Sequence, residues 1–333
     1  MFIIRNAIES DLESLFSLSK NANLLNLPAN EEKLRSLIKA SNESFLSPSK
    51  KLENNYYLFC LIDKTKNKTI GVSMVHGKHG TEEKPHYYLR VSKEIKESAT
   101  LGTKIINPTL KLGIEPNGYT EIGGLILNPS YRGSPMKLGK QLSMSRFLYI
   151  IENENFFTEY IHSELLPPFD DKGRSLLWEG LGRKFLNMDY WEADILSQKN
   201  RTFIHDLFPS STIYQNLLPK SASNVIGEVG KNTEPVKKML ESIGFKYTSE
   251  VDPFDGGPHY RAKLKDLKPY RDFQNIEGAK LFQLLDQNPE CCFLCNTSSL
   301  NEDVSSNIHF SAVAWNYKHN QIKKSNMYKG FFI

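Results

Sequence analysis

The chain has 333 residues, 39% hydrophobic and 24% charged, with 42 Lys and Arg against 38 Asp and Glu for a net charge of +4. That length exceeds most single cores and implies two domains, or two and a fragment, in a protein of ordinary globular composition. The near-balanced charge, without a long basic block, argues against nucleic acid as a partner, and apolar runs such as "GGLIL" and "FLYII" fall far short of the ~20 residues a membrane span needs.

"FIIRNAIESDLESLFSLSKNA" (2–22) opens with Ile3 and Ile4 as a short strand. It then offers Ser10 and Asp11 as caps for a helix with Leu12, Leu15, Phe16 and Leu18 on its apolar side. Acids early in this segment and the lack of a continuous apolar core are unlike a secretory signal, and a cytoplasmic setting is expected. "NEEKLRSLIKAS" (30–41) reads as a second helix capped by Asn30. The period then becomes that of strands. "NYYLFCLID" (55–63), the turn "KTKNK" and "TIGVSMVHG" (69–77) predict an antiparallel hairpin, and "HYYLRVS" (86–92) predicts another strand. A long loop bearing Pro and Gly leads to "EIGGLIL" (121–127), an apolar strand bounded by turn residues. From Lys140 onward, Leu142, Met144, Phe147, Leu148 and Ile150 recur at helical spacing, and "EYIHSELL" (159–166) supplies a further strand.

An internal echo follows. "LWEGLGRKF" (177–185) and "MLESIGFKY" (239–247) share a pattern in which a helix is expected to end on a left-handed glycine with a strand beginning at once. It implies two similar halves with a boundary within 191–202. The expected division is 1–190, 191–268 and a small β appendage at 269–333, where "CCFLCNTSS" and "IHFSAVAWN" read as strands and "KHNQIKKSNMYKGFFI" is basic and poorly periodic. Of the four cysteines, Cys60 suits a buried core position. Cys291, Cys292 and Cys295 lack the second pair or histidines of a zinc site, so reduced thiols are expected.

The chemistry centres on "NPSYRGSPMKLGKQ" (128–141), between the strand 121–127 and the helix after it. The amides that open a helix have no partner within it and stand at the positive end of its dipole, which favours an anion. Gly133 and Gly139 would allow tight curvature, and Arg132, Lys137 and Lys140 add positive charge. Such a loop either cradles a phosphate or merely connects strand to helix. The order strand, two helices, three strands, then strand, loop and helix resembles that of the GCN5-related N-acetyltransferase fold, in which the corresponding loop takes the pyrophosphate of coenzyme A.

"LPANE" (27–31), "SMSRF" (143–147), "MDYWEAD" (188–194), "TFIHDLFP" (202–209), "VIGEV" (225–229) and "FDGGP" (254–258) occur in the order found in bacterial arginine N-succinyltransferases, which the chain resembles over roughly 1–268. The resemblance implies an α+β protein of two tandem GCN5-related acyltransferase-like domains. It implies succinyl-CoA or another acyl-CoA as co-substrate, arginine or a similar amine as acceptor, and no permanently bound cofactor. Leu125 matches the family's succinyl-CoA position, and Arg132, Gly133, Lys137, Gly139, Lys140 and Gln141 form the expected coenzyme A loop. Neither membrane nor nucleic acid is an expected partner, and homo- or hetero-oligomerisation is left open.

The chain also departs from that family. Gly230 stands where the family has its proposed proton-donating histidine, the "GNG" loop becomes Lys137-Leu138-Gly139, "EPNG" (115–118) replaces an Asp-His-Thr-Gly stretch, and Leu166 replaces an arginine. An amine must lose a proton to attack a thioester, the oxyanion must be stabilised, and the leaving thiolate must be protonated. Backbone amides near Leu125 could polarise the carbonyl, and no metal is called for. Glu121 and Glu164, on neighbouring strands, are candidate bases or else hydrogen-bonded carboxylates at a sheet end, and His259 is either a replacement for the missing histidine or a surface residue beside a turn. His76 and His79 in "HGKHG" read as loop residues, and Asp255 as a turn-fixing side chain. Loss of proton transfer would leave a non-catalytic acyl-CoA or amino-acid binding protein, and a shifted acceptor site an acyltransferase for a different amine.

Overall fold

The computed structural model describes residues 1–20, 27–297, 307–315 and 322–333. Asn21 and Ala22 of the first predicted helix segment, Ser298 and Ser299, Asn316, and residues 318–321 of the basic tail lie outside them. In chain order the elements begin β1 (Phe2–Asn6), α1 (Leu12–Lys20), α2 (Glu31–Leu46), β2 (Tyr56–Asp63), β3 (Lys68–His79), β4 (His86–Ser98), β5 (Thr103–Glu115), β6 (Tyr119–Leu127), α3 (Leu138–Glu152) and β7 (Tyr160–Glu164). Next come α4 (Arg183–Leu186), α5 (Tyr190–Lys199), α6 (Thr202–Leu207), β8 (Ile213–Tyr214), α7 (Lys220–Ser223), α8 (Glu234–Ile243), β9 (Lys246–Val251) and β10 (Pro258–Lys263). The last are α9 (Lys268–Arg271), β11 (Gln274–Glu277), α10 (Gly278–Gln287), β12 (Phe293–Asn296), β13 (Ser311–Trp315) and β14 (Met327–Phe332). The class is α+β, as the sequence implied. Among the described residues no helix is long and apolar enough to cross a membrane.

Contacts group the chain differently from the consecutive division expected. One compact unit comprises 1–78, 120–161 and 263–333, and the other comprises 79–119 and 162–262. In the first unit the strands run β11-β14-β12-β13-β1-β2-β3-β6. The predicted hairpin forms, with Tyr56 opposite His76 and Asp63 opposite Lys68. Asn30 caps α2 by accepting from the Lys33 amide at 2.9 Å. Packing of α1 and α2 on β2 and β3 buries Leu15, Leu34, Ile38, Leu58 and Cys60. The tail belongs to this unit: β13 pairs antiparallel with β1, and the basic stretch contributes β14, whose Tyr328 and Phe331 are buried.

In the second unit the strands run β10-β9-β4-β5-β8. The long loop expected after "HYYLRVS" is instead an extended ladder, with His86 opposite Glu115 and Ser98 opposite Thr103. Its outer half shows no burial pattern because Ile95, Ile105 and Ile106 are exposed, which removes the alternation that announces a strand. Leu177, Trp178, Leu181, Val251 and Phe254 form the core, with Trp178 and Phe254 stacked at 5.1 Å.

The echo holds only in its second copy. Helix α8 ends at Ile243, Gly244 takes φ 116°, and β9 begins at Lys246. In the first copy Gly182 has φ −56° and continues a helical turn into α4. A Cβ there would lie 2.3 Å from the Trp178 ring, so this glycine makes room for tryptophan rather than capping a helix. Residues 191–202, expected to hold a boundary, lie in the second unit and carry α5 and the start of α6.

Candidate functional site

In the first unit, β6 buries Ile122 and Ile126 and breaks its pleat at Gly124, whose φ is +54°. A Cβ on Gly124 would stand 2.4 Å from Met74 Sδ, so only glycine fits this kink. Leu125 follows it, half-buried. The kink is held from α3: Arg146, 2% exposed, donates from Nη1 to the Gly123 carbonyl at 3.3 Å and from Nε to the Ser143 carbonyl at 3.0 Å. Burial pushes this guanidinium down to about 9.

Between β6 and α3 the chain turns through Gly133, with φ +70°, and Lys137, with φ 52° and ψ 44°. The left-handed residue at the helix start is therefore Lys137. The structure corrects the role expected of Gly139, which lies inside the first turn of α3, where a Cβ would meet only Leu127 Cδ2 at 3.8 Å. Gln141 is buried, and its Nε2 donates to the Met136 carbonyl at 2.7 Å, so it braces the loop. Arg132 and Lys137 are exposed and Lys140 is half-buried, its ammonium pushed down by burial and by Lys137. Leu138 and Gly139 open α3, and the Lys140 amide donates to the Lys137 carbonyl at 2.9 Å. Three cationic residues thus lie in the loop and first turn of this helix start. Glu121 also belongs to this unit, half-buried on β6, where its charge adds to burial in raising the Tyr56 phenol.

In the second unit the structure brings Glu164 and His259 together and adds two residues that the sequence did not single out. His86 opens β4, His162 and Glu164 lie two apart on β7, and His259 is second in β10. Successive residues two apart share a face of a strand. Leu165 N, donating to the Pro258 carbonyl at 3.1 Å, sets β10 beside the end of β7. Glu164 Oε1 stands 3.5 Å from His162 Nε2, 3.6 Å from His86 Nδ1 and 3.9 Å from His259 Nε2. His259 is 0% exposed, which rules out a surface role; His86 and His162 are also buried. None of the six ring nitrogens has a hydrogen-bond partner. A buried polar group left unpaired costs about 1–3 kcal/mol.

Burial drives the His86 ring well below its ordinary value and His259 to about 3, against the opposing pull of Glu164. Burial pushes the Glu164 carboxyl up, but His162, His259 and His86 outweigh it and hold the group well below its usual range. Near neutral pH His86 and His259 are neutral and the carboxylate is ionised. Spacing along the chain links only His162 with Glu164; strand pairing brings His86 and His259 to them.

His79 lies at the end of β3 rather than in the loop expected of "HGKHG", and its Nε2 accepts from Arg201 Nη1 at 2.9 Å. His76, also in β3, contacts the Glu53 carbonyl through Nε2 at 2.9 Å. Asp255 accepts from the Gly257 amide at 2.7 Å and fixes its turn as expected. Burial and the neighbouring Asp252 raise Asp194 to about 8. The backbone amide of Gly230, expected from the sequence to replace a histidine, donates to the Leu166 carbonyl at 3.0 Å. A Cβ there would sit 3.0 Å from the Pro167 oxygen.

Comparison with known proteins bears on both units. The family profile described as arginine N-succinyltransferase beta subunit matches residues 2–269. The chain is 34% identical over 277 residues to an arginine N-succinyltransferase subunit beta of Pseudomonas aeruginosa, covering 82% of this chain and 80% of the relative. It is likewise 34% identical over 275 residues to an arginine N-succinyltransferase of Yersinia pseudotuberculosis, covering 82% and 77%. The solved structure of arginine/ornithine succinyltransferase subunit AI from Pseudomonas aeruginosa superposes with a TM-score of 0.76 at 23% identity, covering 98% of this chain and 92% of that one, so the fold is shared. The chain belongs to the arginine N-succinyltransferase beta-subunit family.

Proposed function

We propose that the chain transfers a succinyl group from succinyl-CoA to the α-amino group of arginine. The observation that supports this most is the joint of β6 and α3, where a strand kinked at Gly124 feeds a cation-flanked helix start inside a chain of this family. The diphosphate of the thioester would lie on the opening amides of α3, with Arg132, Lys137 and Lys140 around it. The thioester carbonyl would lie along β6 near Leu125, where backbone amides stabilise the oxyanion. The amine nitrogen, relieved of its proton by Glu121 directly or through water, attacks the carbonyl carbon. The C–S bond then breaks, and the thiolate leaves with the proton. Acyl-CoA and amine are both small-molecule substrates consumed at each turnover, and a cytoplasmic setting fits them.

A second reading, a non-catalytic acyl-CoA or amino-acid binding homologue, is favoured by one observation. Gly230 provides no proton-transferring group at the family's histidine position, and the Pro167 carbonyl crowds any side chain placed there. A thiol-release assay with succinyl-CoA and a panel of amines tests the reading. Turnover with arginine supports it, turnover only with another amine moves the acceptor, and binding without turnover with every amine removes the catalytic claim. Gly139→Leu probes the donor site: a Cβ there meets only Leu127 Cδ2 at 3.8 Å, and a bulky side chain in the first turn of α3 is expected to obstruct the diphosphate and weaken coenzyme A binding.

A further inference from the structure

The second unit carries a group of side chains whose chemistry the acyl-transfer reading does not use. His86, His162 and His259 present their rings to one another with centroids 5.2, 5.1 and 4.9 Å apart, and Glu164 faces all three. One ligand-capable atom from each of the four lies within 4.8 Å of every other. Zinc bonds to imidazole nitrogen and carboxylate oxygen are about 2.1 Å, so the edges of a tetrahedron around the ion are about 3.4 Å. The three Glu164 edges, at 3.5, 3.6 and 3.9 Å, come within a small relaxation of that figure.

We propose that His86, His162, His259 and Glu164 form a binding site for one divalent transition-metal ion of the zinc type. Three imidazoles with one carboxylate suit zinc or cobalt and do not suit magnesium or calcium, which take oxygen ligands. The ion accounts for one orphaned nitrogen on each buried ring and neutralises a carboxylate held among them. Four protein ligands fill a tetrahedral shell, so the ion ties β4, β7 and β10 together rather than activating water. It fixes the ends of strands far apart in sequence. The inference stands apart from the acyl-transfer reading, since neither requires the other.

The test uses the full chain, tag-free, stripped with a chelator, dialysed and returned to zinc or cobalt. Expected are one equivalent of metal per chain by mass spectrometry, the intense visible bands of tetrahedral cobalt, and a raised melting temperature in zinc. Glu164→Gln keeps the shape of the side chain and is expected to weaken zinc binding by more than about tenfold. The double variant His162→Ala, His259→Ala is expected to lose the stoichiometric ion. If that variant does not fold by circular dichroism, Glu164→Gln carries the comparison. A repleted parent that holds no stoichiometric metal, or an E164Q variant that binds zinc as tightly as the parent, overturns the site. Because the readouts are metal content, spectrum and melting, they separate failure of this site from failure of acyl transfer.

Discussion

Arg146 Nη1 donates to the carbonyl oxygen of Gly123 at 3.3 Å, so a buried guanidinium on α3 holds the backbone of β6 at the residue before its left-handed glycine. Its other bonds go to the carbonyl and hydroxyl of Ser143, at 3.0 and 2.5 Å. The geometry needs the planar fork of arginine more than its charge. Arg146→Met removes a buried charge and is expected to stay within about 2 kcal/mol of the parent, whereas Arg146→Lys buries an ammonium that cannot reach the same acceptors and is expected to cost about 3 kcal/mol. Urea unfolding checks the order. Both variants release the kink and are expected to weaken succinyl-CoA binding several-fold.

Lys137 places a side chain in the left-handed region at the start of α3. For a residue with a Cβ this costs about 1 kcal/mol. Lys137→Gly is therefore expected to stabilise the fold by about that amount while weakening thioester binding through loss of a cation. The two effects have opposite signs, so unfolding and calorimetry on one variant separate them. A variant less stable than the parent would show that the lysine does structural work the conformation does not reveal.

Gly182 and Gly139 give a contrasting pair. Alanine at Gly182 would press on the Trp178 ring, 2.3 Å from its Cβ, and is expected to cost about 2–3 kcal/mol as overpacking. Alanine at Gly139 meets only Leu127 at 3.8 Å and is expected to leave stability unchanged or slightly raised, as glycine is a poor helix former. Thermal melts of the two variants check this directly.

Asp194 gives the pH dependence of the metal-free protein. Its carboxyl is raised to about 8, first by burial and then by Asp252. The unfolded value is about 3.9, so folding takes up a proton between pH 4 and 8. The stability carried by the protonated form is complete below pH ~4 and is lost as pH rises through about 8. Asp194→Asn is expected to flatten that slope and to melt higher than the parent at pH 8. An unchanged slope from pH 5 to 8 would place the carboxyl near its ordinary value.

The joint of β6 and α3 was legible in the sequence because an apolar run, a turn with glycine and a helical period stand side by side. The kink was less so: nothing distinguishes Gly124 from Gly123 until the approach of Met74 is seen. The left-handed start at Lys137 was hidden because glycine was the residue expected there, and the helix instead absorbs Gly139. The strand at 86–92 was legible, but the outer half of β4 and its partner β5 were missed because that half is exposed and lacks alternation. His86 was invisible as a site residue because only strand pairing brings it to Glu164 and His259, whereas His162 stands two residues from Glu164 on the same strand and could have been found from that spacing. The echo at Gly182 misled for a simple physical reason. A glycine can mark a left-handed cap or clear space for a ring, and sequence alone does not distinguish the two.

The most direct measurement is a crystal of the protein soaked with succinyl-CoA. The expected result is density for the diphosphate against the opening amides of α3, within reach of Arg132, Lys137 and Lys140, and for the thioester along β6 beside Leu125. A thioester bound elsewhere, or none at saturating concentration together with no calorimetric heat, contradicts acyl transfer by this chain.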